Sequence, residues 1–246
     1  MSKVLVVGDS CTDVFVYGEI ERICPEAPVP VIKPVSETKN GGMAKNVKSN
    51  LEALGLEVDI ITNSDDIKKI RYIDDKSNQM VMRVDEHDHC DPISVEQLTQ
   101  IVEHDYVAII ISDYCKGFLT EKAIEFICKN KDNVFIDTKK KLGDWIKDAD
   151  FIKINHLEHK KNYERIANYP ELEDKLITTK GPKGCFYNGE LFPTKEVPVK
   201  DVSGAGDTFL AGLVCEYIKT RDIRKSIDFA QKCTTKVVQK LGVATI

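Results

Sequence analysis

The feature that most constrains the fold is a recurring order of apolar run, polar tip and helical segment. The apolar runs lie at 3–8, 58–62, 106–111, 134–137, 151–155 and 176–180. A continuous apolar strand is buried on both faces, which is typical of a parallel sheet between two layers of helices. We therefore predict an α/β fold with a doubly wound, mainly parallel sheet whose polar strand tips line one crevice.

The composition suits one globular domain, residues 1–246, and argues against other classes of protein. The chain is 42% hydrophobic and 30% charged, with a net charge of −5. The longest basic runs are Lys139–Lys141 and Lys160–Lys161, so we expect no nucleic-acid binding. The chain opens with a strand rather than a signal peptide, and no apolar run reaches membrane-spanning length, so we expect no membrane contact.

The eight cysteines are scattered without a Cys-x-x-Cys pair, which argues against a zinc site and a disulfide scaffold. We therefore expect a cytoplasmic protein with reduced thiols. His87, His89 and Cys90 share a hydrophilic loop, but no fourth residue has a spacing that suits zinc.

A glycine-containing run before a predicted helix is the best candidate for a phosphate site. Gly204 and Gly206 allow a tight turn and close approach to a ligand, and the apolar spacing predicts a helix from Asp207 to about Lys219. The free amides and positive dipole end of such a helix suit a phosphate or a phosphoryl group in transfer. Asp207 beside them is either a catalytic carboxylate or an ordinary acid at a helix start.

Polar residues also follow the first predicted strand. Asp9, Ser10 and Asp13 are placed to meet a substrate, and an ordinary acidic turn is the alternative. Further on, Gly41 and Gly42 lead into a predicted helix that ends at Gly55, which on its own is a weak indication of close ligand approach.

A small separate sheet is predicted from short alternating runs. Two of them lie at 13–18 and 29–33, and a later run contains Arg83, which places lid strands at about 13–35 and 70–85. Arg83 is either an anion contact or a salt-bridged surface residue.

The string Asp201-x-x-Gly-Ala-Gly-Asp207-x-Phe209 resembles the signature of ribokinase-like, or pfkB-type, carbohydrate kinases. The resemblance implies a ribokinase-like fold with a small β lid, and ATP and Mg²⁺ as cofactors. It also implies that Asp207 is the base that accepts the proton of the substrate hydroxyl. The amides of Gly204, Ala205 and Gly206 would then form the anion hole.

Three N-terminal strings resemble the heptose 7-phosphate kinase branch of that family, which makes a bisphosphate for lipopolysaccharide and surface-glycan precursors. They are Asp9-x-x-x-Asp13, the Pro-Glu-Ala-Pro-Val-Pro run within 22–31, and Gly41-Gly42-x-Ala-x-Asn46. By that resemblance Asp13, Gly41, Gly42 and Asn46 bind sugar hydroxyls.

Two later strings, Ser-Asp113-Tyr-x-Lys116-Gly and Asp-x-Lys139, resemble the same branch. The resemblance implies that Asp113, Lys116 and Lys139 bind substrate. Together with Arg83, the two lysines are the candidates to hold the phosphate of the sugar.

The remaining matches concern the nucleotide and its cations. Asn155-x-x-Glu158 resembles the family's magnesium-phosphate motif, which acts through water, although a helix cap is the plainer interpretation. Asp201 resembles a position near a monovalent cation, K⁺. The residues expected to bind the nucleotide are Asn155, Glu158, Thr179, Gly181, Gly184 and Ser203.

The chain departs from the family after Thr62. A full-length relative would have several tens of further residues here, but this chain passes through 63–66 almost directly to 70–73. The predicted C-terminal helix at 223–240 and the string at 241–245 again resemble the family.

Three interpretations stay open. The chain is a heptose 7-phosphate kinase without the nucleotidyltransferase that is fused to some relatives, a kinase of another sugar, sugar phosphate or nucleoside, or a non-catalytic remnant that binds a ligand or partner. Retention of Asp207, Asn155 and Glu158 weighs against the third. The expected partners are a small sugar and ATP, and a homodimer is left open.

Overall fold

The computed structural model of the protein describes residues 3–240, 242 and 244–246. Its strands form two sheets. In chain order the strands are β1 (Lys3–Gly8), β2 (Ser10–Ile23), β3 (Pro30–Met43), β4 (Val58–Thr62), β5 (Lys68–Asp74), β6 (Met80–Glu86), β7 (Tyr106–Asp113), β8 (Val134–Thr138), β9 (Phe151–Asn155), β10 (Leu176–Thr179), β11 (Cys185–Tyr187) and β12 (Glu190–Phe192). The α-helices are α1 (Ala44–Ala53), α2 (Val95–Glu103), α3 (Glu121–Asn130), α4 (His156–Lys161), α5 (Tyr163–Asn168), α6 (Ala205–Thr220) and α7 (Ile223–Val237).

The larger sheet has the order β12-β11-β10-β9-β8-β7-β1-β4. The six strands from β10 to β4 are parallel, and β11 and β12 are antiparallel additions at one edge. The predicted doubly wound, mainly parallel sheet is confirmed. Because parallel strands all end at the same edge, the residues that follow β1, β7, β8 and β9 are brought together.

Helices cover both faces of this sheet. Side chains alternate along β1, so that Val4 and Val6 pack with α1, α6 and α7, while Leu5 and Val7 pack with α2 and α3. All four of these side chains are fully buried. Burial on both faces explains why the parallel strands read as continuous apolar runs. No helix in the described ranges is both long and apolar enough to cross a membrane.

The smaller sheet, called the lid sheet below, has the order β3-β2-β5-β6. The strands predicted at 13–18 and 29–33 are too short, since β2 and β3 each have 14 residues. Shifts in register after Tyr17 and Ile20 let Pro34 lie opposite Gly18 without ending the pairing. The outer part of β3 is polar and exposed, so it lacks the alternation from which a strand is predicted.

The glycine pair lies within β3 and not in a loop before a helix. Gly42 pairs with Cys11, and α1 begins directly after the strand, at Ala44. A Cβ on Gly42 would lie 2.1 Å from Asp13 Oδ2 and 2.7 Å from Cys11 Sγ. Glycine is therefore required here because the backbone passes directly against the Asp13 carboxylate.

The chain passes from the core sheet to the lid sheet through residues 63–67. Asn63 organises this short connection. Its side-chain amide donates to the carbonyls of Ser10 and Asp65, and its carbonyl accepts the Ser10 amide at 2.7 Å. The connection is thus tied to the start of β2, and β4 is the last strand at its edge of the core sheet.

The two C-terminal helices differ slightly from their predicted bounds. Helix α6 begins at Ala205 instead of Asp207, because Gly204 has a left-handed φ of 75° that turns the chain into the helix. Helix α7 ends at Val237 instead of Lys240. The string at 241–245 includes Leu241 and Val243, which lie outside the described residues.

Candidate active site

The candidate site lies where the first turn of α6 meets the ends of the parallel strands and the lid sheet. In that turn the Ala205 amide donates to the Val202 carbonyl at 3.2 Å. The amides of Gly206 and Asp207 make no turn or cap bond within the described part of the chain. They are therefore donors that the first turn of α6 leaves for an anion, whereas the Ala205 amide, which was predicted to form the anion hole with those of Gly204 and Gly206, is already engaged.

Asp207 is held by two side chains that are distant in sequence. Its Oδ1 accepts the Tyr114 hydroxyl at 2.7 Å, and its Oδ2 accepts the Asn46 side-chain amide at 2.8 Å. The carboxylate is only 3% exposed. Burial raises the pKa of Asp207 to about 6, even though both hydrogen bonds act to lower that pKa. A carboxylate with this pKa is mostly ionised at neutral pH and can still accept a proton.

Tyr114 is a member of the site that the sequence reasoning missed, although it lies inside one of the matched strings. Burial and then the charge of Asp207 raise its pKa well above 10, so the hydroxyl stays a donor. Two lysine ammonium groups make cation–π contacts with the Tyr114 ring: Lys139 Nζ lies 4.7 Å and Lys69 Nζ 5.3 Å from its centroid. Tyr114 therefore links the buried carboxylate to positive charge from the core and from the lid.

Asp9 holds the loop that presents Tyr114. Its carboxylate is fully buried and accepts the backbone amides of Tyr114, Lys116 and Phe118. Burial and then the charge of Asp113 raise the pKa of Asp9. Asp9 thus meets the backbone of this loop and fixes its position after β7.

Asp13 lies on the lid sheet and is 4% exposed. The Arg71 guanidinium contacts its carboxylate and also lies 5.0 Å from the centroid of the Phe15 ring. Arg71 could not be identified from sequence, because the pairing of β2 with β5 that brings it to Asp13 is not visible there.

The structure brings together part of the predicted set of sugar contacts. Asp13 and Gly42 lie side by side, and the Asn46 side chain donates to Asp207. Gly41 lies against another side chain, because a Cβ at Gly41 would contact Lys45.

The cations predicted to bind the acceptor phosphate already have anionic partners. Lys116 contacts Asp88, and Lys139 Nζ lies 3.1 Å from Glu158 Oε1. Burial lowers the pKa of Lys139, but the charges of Asp137 and Glu158 outweigh burial and leave that pKa raised.

Arg83 lies on the lid and pairs with Asp85 at 2.8 Å. It is opposite Arg71 in the register of β5 and β6, so the two guanidinium groups share one face of the lid sheet.

Asp113, which was predicted to bind substrate, is only 1% exposed. Its carboxylate accepts the Thr138 hydroxyl at 2.5 Å and the Lys140 ammonium at 2.7 Å. Lys140, which was not predicted from sequence, therefore neutralises Asp113.

A cleft of about 530 Å³ opens on the other side of the first turn of α6. Its lining includes Phe209 and the valines at 197, 199, 202 and 238, whose apolar side chains suit the flat face of a nucleotide base. Gly184 has a φ of 90°, and a Cβ there would lie 2.0 Å from the Phe192 carbonyl oxygen. The predicted nucleotide and anion-hole residues that line this cleft are Thr179, Gly181, Gly184, Ala205 and Gly206.

Asn155 and Glu158 form a capping box at the start of α4. Asn155 Oδ1 accepts the amides of Leu157 and Glu158, and Glu158 Oε2 accepts the Asn155 amide at 2.8 Å. The two amides use both lone pairs of Asn155 Oδ1, whereas the Glu158 carboxylate keeps lone pairs that can accept hydrogen bonds from the waters of a Mg²⁺ ion. Among the described residues, no group of three or more His, Cys, Asp or Glu side chains is arranged to hold a metal ion. The Glu158 carboxylate thus fits Mg²⁺ bound through water, and Asn155 positions it as the helix cap.

Asp201 orders the loop before α6. Its Oδ1 accepts the Ser203 amide at 2.8 Å, and its Oδ2 accepts the Gly242 amide at 3.0 Å. Ser203 is therefore positioned through its backbone. The proposed K⁺ at Asp201 would share carboxylate oxygens that already bind two amides.

Comparison with known proteins places the chain among carbohydrate kinases. The pfkB family carbohydrate kinase model matches residues 60–246. The bifunctional protein HldE of Nitratiruptor sp. is 30% identical over 295 residues, which cover 99% of this chain and 63% of that protein. HldE of Helicobacter pylori (strain J99) is 29% identical over 300 residues, which cover 99% of this chain and 64% of that protein. The chain thus spans less than two thirds of the length of these relatives.

Solved structures share the fold at low sequence identity. The nucleoside kinase of Methanocaldococcus jannaschii has a TM-score of 0.70 at 19% identity and covers 99% of this chain and 93% of its own. Arabidopsis thaliana ribokinase, solved with ribose and ATP, has a TM-score of 0.71 at 14% identity, covering 98% of this chain and 94% of its own. A phosphofructokinase-2 mutant of Escherichia coli has a TM-score of 0.74 at 11% identity, and the match covers 100% of this chain and 96% of that protein.

Proposed function

Because this chain belongs to the pfkB family of carbohydrate kinases, we propose that it is an ATP-dependent sugar kinase whose acceptor is a heptose 7-phosphate. The proposed reaction phosphorylates the anomeric hydroxyl and gives a bisphosphate for surface-glycan precursors such as lipopolysaccharide. Support comes from the relatives named HldE, a name that denotes a heptose 7-phosphate kinase and adenylyltransferase. The adenylyltransferase activity is not part of the proposal.

The buried Asp207 carries the mechanism. In the proposed reaction its carboxylate takes the proton of the acceptor hydroxyl as that oxygen bonds to the γ-phosphorus of ATP. The bond from the γ-phosphorus to the bridging oxygen breaks, and ADP leaves with the electron pair. With a pKa of about 6, Asp207 is available as a base at neutral pH. The Gly206 and Asp207 amides would stabilise the charge on the transferring group.

The cofactors have separate proposed places. ATP would lie in the cleft between Gly181, Gly184 and the first turn of α6, with its phosphates toward Gly206. Glu158, which the cap formed with Asn155 holds in place, would hold Mg²⁺ through water, and Asp201 would hold a K⁺ ion. When bound, Mg²⁺ supplies positive charge to the phosphates.

The acceptor phosphate requires cations beyond the reacting centre. The lid and the strand tips supply Lys116, Lys139 and Arg83, and the structure adds Lys69 and Arg71 on β5. A phosphate bound here would share or displace the carboxylates that now pair with Lys116, Lys139 and Arg83. Such charge-assisted hydrogen bonds are stronger than bonds between neutral groups.

A second candidate acceptor is another sugar, sugar phosphate or nucleoside. The observation that favours it is the short connection at 63–67, which leads directly from the core into β5 of the lid. The lid sheet carries Asp13 and Arg71 on the proposed acceptor side of the site, so a change in its connection can change the choice of acceptor. The two hydrogen bonds that hold Asp207 between Asn46 and Tyr114 favour a catalytic role over a non-catalytic remnant.

A panel of acceptors tests the proposal. The protein is incubated with ATP, Mg²⁺ and one sugar, sugar phosphate or nucleoside at a time, and ADP release is followed by a coupled assay. The proposal expects heptose 7-phosphate to give the highest kcat/KM and the unphosphorylated heptose to give a much lower value. Preference for an unphosphorylated sugar or a nucleoside would reject the heptose assignment and leave the second candidate.

We also propose that residues 1–246 form one kinase domain that works in the cytoplasm. The eight cysteines are all free thiols, which suits a reducing compartment. A homodimer is proposed through the lid sheet, where Ile23, Val35 and Met82 are more than half exposed. Sedimentation of the protein at several concentrations tests the homodimer, and a monomer at all of them would reject it.

A further inference from the structure

A buried ion pair lies beneath the first turn of α6. Lys153 on β9 and Asp137 on β8 are opposite each other in the sheet register, and Lys153 Nζ lies 2.6 Å from Asp137 Oδ2. The two residues are 5% and 6% exposed. Lys153 interrupts an apolar strand, since Ile152 and Ile154 on either side of it are fully buried on the opposite face of the sheet. Burying a lysine in such a place costs free energy unless all of its N–H groups and its charge find partners. A lysine kept there without full pairing is therefore a candidate functional residue.

The ammonium of Lys153 points at the proposed anion hole. A Cβ on Gly206 would lie 2.9 Å from Lys153 Nζ and 3.9 Å from Asp137 Oδ2. The positive charge is therefore placed directly against the positive end of α6, where a cation is unfavourable and an anion is favoured. Asp137 offsets this repulsion in the ligand-free protein.

The hydrogen bonding of this ammonium is incomplete. An ammonium group has three N–H donors. Within the described part of the chain, Asp137 is the one acceptor that Lys153 Nζ reaches. A buried donor without an acceptor costs free energy, and an oxygen of a bound anion would remove that cost. The remaining N–H donors of Lys153 and the neighbouring α6 amides would therefore both be satisfied by an anion.

We propose that Lys153 is a catalytic residue whose ammonium donates to an oxygen of the transferring phosphoryl group. The bond changes are those of the kinase reaction: the acceptor oxygen bonds to the γ-phosphorus, the bond to the bridging oxygen of ADP breaks, and Asp207 takes the acceptor proton. Lys153 donates hydrogen bonds without transferring a proton, and its charge stabilises the negative charge on the transferring group. The inference rests on the proposed placement of the phosphates at Gly206, but it does not depend on which sugar is the acceptor.

The alternative is that Lys153 only neutralises Asp137. Replacing Lys153 alone does not separate the two roles, because it leaves a buried carboxylate without a partner and destabilises the fold. The informative variant is Lys153→Met combined with Asp137→Asn, which removes both charges and keeps the side-chain volumes similar. Lys3→Met combined with Asp59→Asn is the matched control, because that pair also bridges neighbouring strands but lies at the exposed edge, at 3.1 Å.

Two measurements on the double variant test the proposal. With the acceptor that the wild type turns over best, kcat should fall by ~10²–10³-fold, as for the loss of one oxyanion-hole donor. Thermal unfolding and ADP affinity should remain close to wild type, and the control pair should change none of these values. In addition, aluminium fluoride with Mg²⁺ should tighten ADP binding to wild type and control, and should do so far less in the double variant.

A purely structural pair gives different results. A double variant that retains kcat within about threefold of wild type, or that gains as much ADP affinity from aluminium fluoride as wild type does, would overturn the role of Lys153. A double variant that no longer folds overturns it as well, because the pair is then required for stability. Rejection of heptose 7-phosphate by the wild type bears only on the acceptor, since the aluminium fluoride measurement needs no choice of sugar.

Discussion

At the scale of single residues, the site depends on how one carboxylate is held. Asp207 is buried, so its ionised form is disfavoured, while Asn46 and Tyr114 each donate to that form. The balance leaves a pKa of about 6, above the ordinary value of 3.8. The protein thus holds a carboxylate whose proton affinity is close to what the proposed base requires at neutral pH.

Replacing Tyr114 with Phe should shift the pH dependence of the reaction. The Tyr114 hydroxyl stabilises the ionised form of Asp207, so its removal raises the pKa of Asp207 further. The acidic limb of kcat/KM, expected near pH 6 for wild type, should move to higher pH. The measurement is a pH–rate profile of both proteins. An unchanged acidic limb would show that the group titrating in that limb is not Asp207.

The same pKa predicts how stability varies with pH. Folded Asp207 binds its proton more tightly than the unfolded chain does, so the free energy of unfolding should fall as pH rises from about 4 to about 6. The full effect is ~3 kcal/mol, with the greater stability below the unfolded pKa. Urea unfolding of wild type and Asp207→Asn across this range measures the difference, because the other groups titrate in both. Parallel pH dependences would contradict the raised pKa.

At the scale of elements, local signals were predicted well and pairings between distant segments were not. Thr120 caps α3 and accepts the Ala123 amide at 3.1 Å, and a threonine directly before a helical segment is a signal that local sequence contains. The capping box of Asn155 and Glu158 is also visible in four consecutive residues. In contrast, the contact of Tyr114 with Asp207 joins residues 93 positions apart. Nothing in the local sequence reports such a contact, since it depends on how the strands are ordered in the sheet.

A side chain at Gly206 would be crowded, because its Cβ would lie 2.9 Å from Lys153 Nζ. Gly206→Val should weaken ATP binding, because a branched side chain would project toward the ammonium of Lys153 and the phosphate site. The helix should persist, since valine is tolerated in helices at a modest cost. Isothermal titration with ATP and circular dichroism measure the two properties. Unchanged ATP affinity with an intact fold would place the phosphates elsewhere.

The strand tips after β7 and β8 should govern the acceptor and not the nucleotide. Lys116→Ala and Lys139→Ala should each raise the KM of the phosphorylated sugar by roughly ten- to a hundredfold, because each removes a charge-assisted bond of about 1.5–3 kcal/mol. The KM for ATP should stay nearly the same. Lys122→Ala is the matched control, since Lys122 is exposed on α3. Unchanged acceptor KM in both variants would remove the heptose phosphate from these tips.

At the scale of the whole molecule, the core sheet was predictable because its strands are buried on both faces and read as continuous apolar runs. The extent of the lid was less so, because the outer part of β3 is polar and exposed. The departure after Thr62 was visible in sequence, but its consequence needed the structure: Asn63 ties the shortened connection to Ser10, and the chain enters the lid directly. The lid sheet still reaches the site, because Lys69 on β5 lies over the ring of Tyr114, whose hydroxyl donates to Asp207.

Turnover by Asp207→Asn tests most directly whether the molecule is a catalyst in which Asp207 is the base. The amide keeps the shape of the side chain but cannot take the acceptor proton. ATP is titrated into both proteins and ADP formation is measured with the best acceptor. We expect a loss in kcat of at least the ~10²–10⁴-fold usual for a general base, with ATP affinity little changed. Turnover like that of wild type would contradict it.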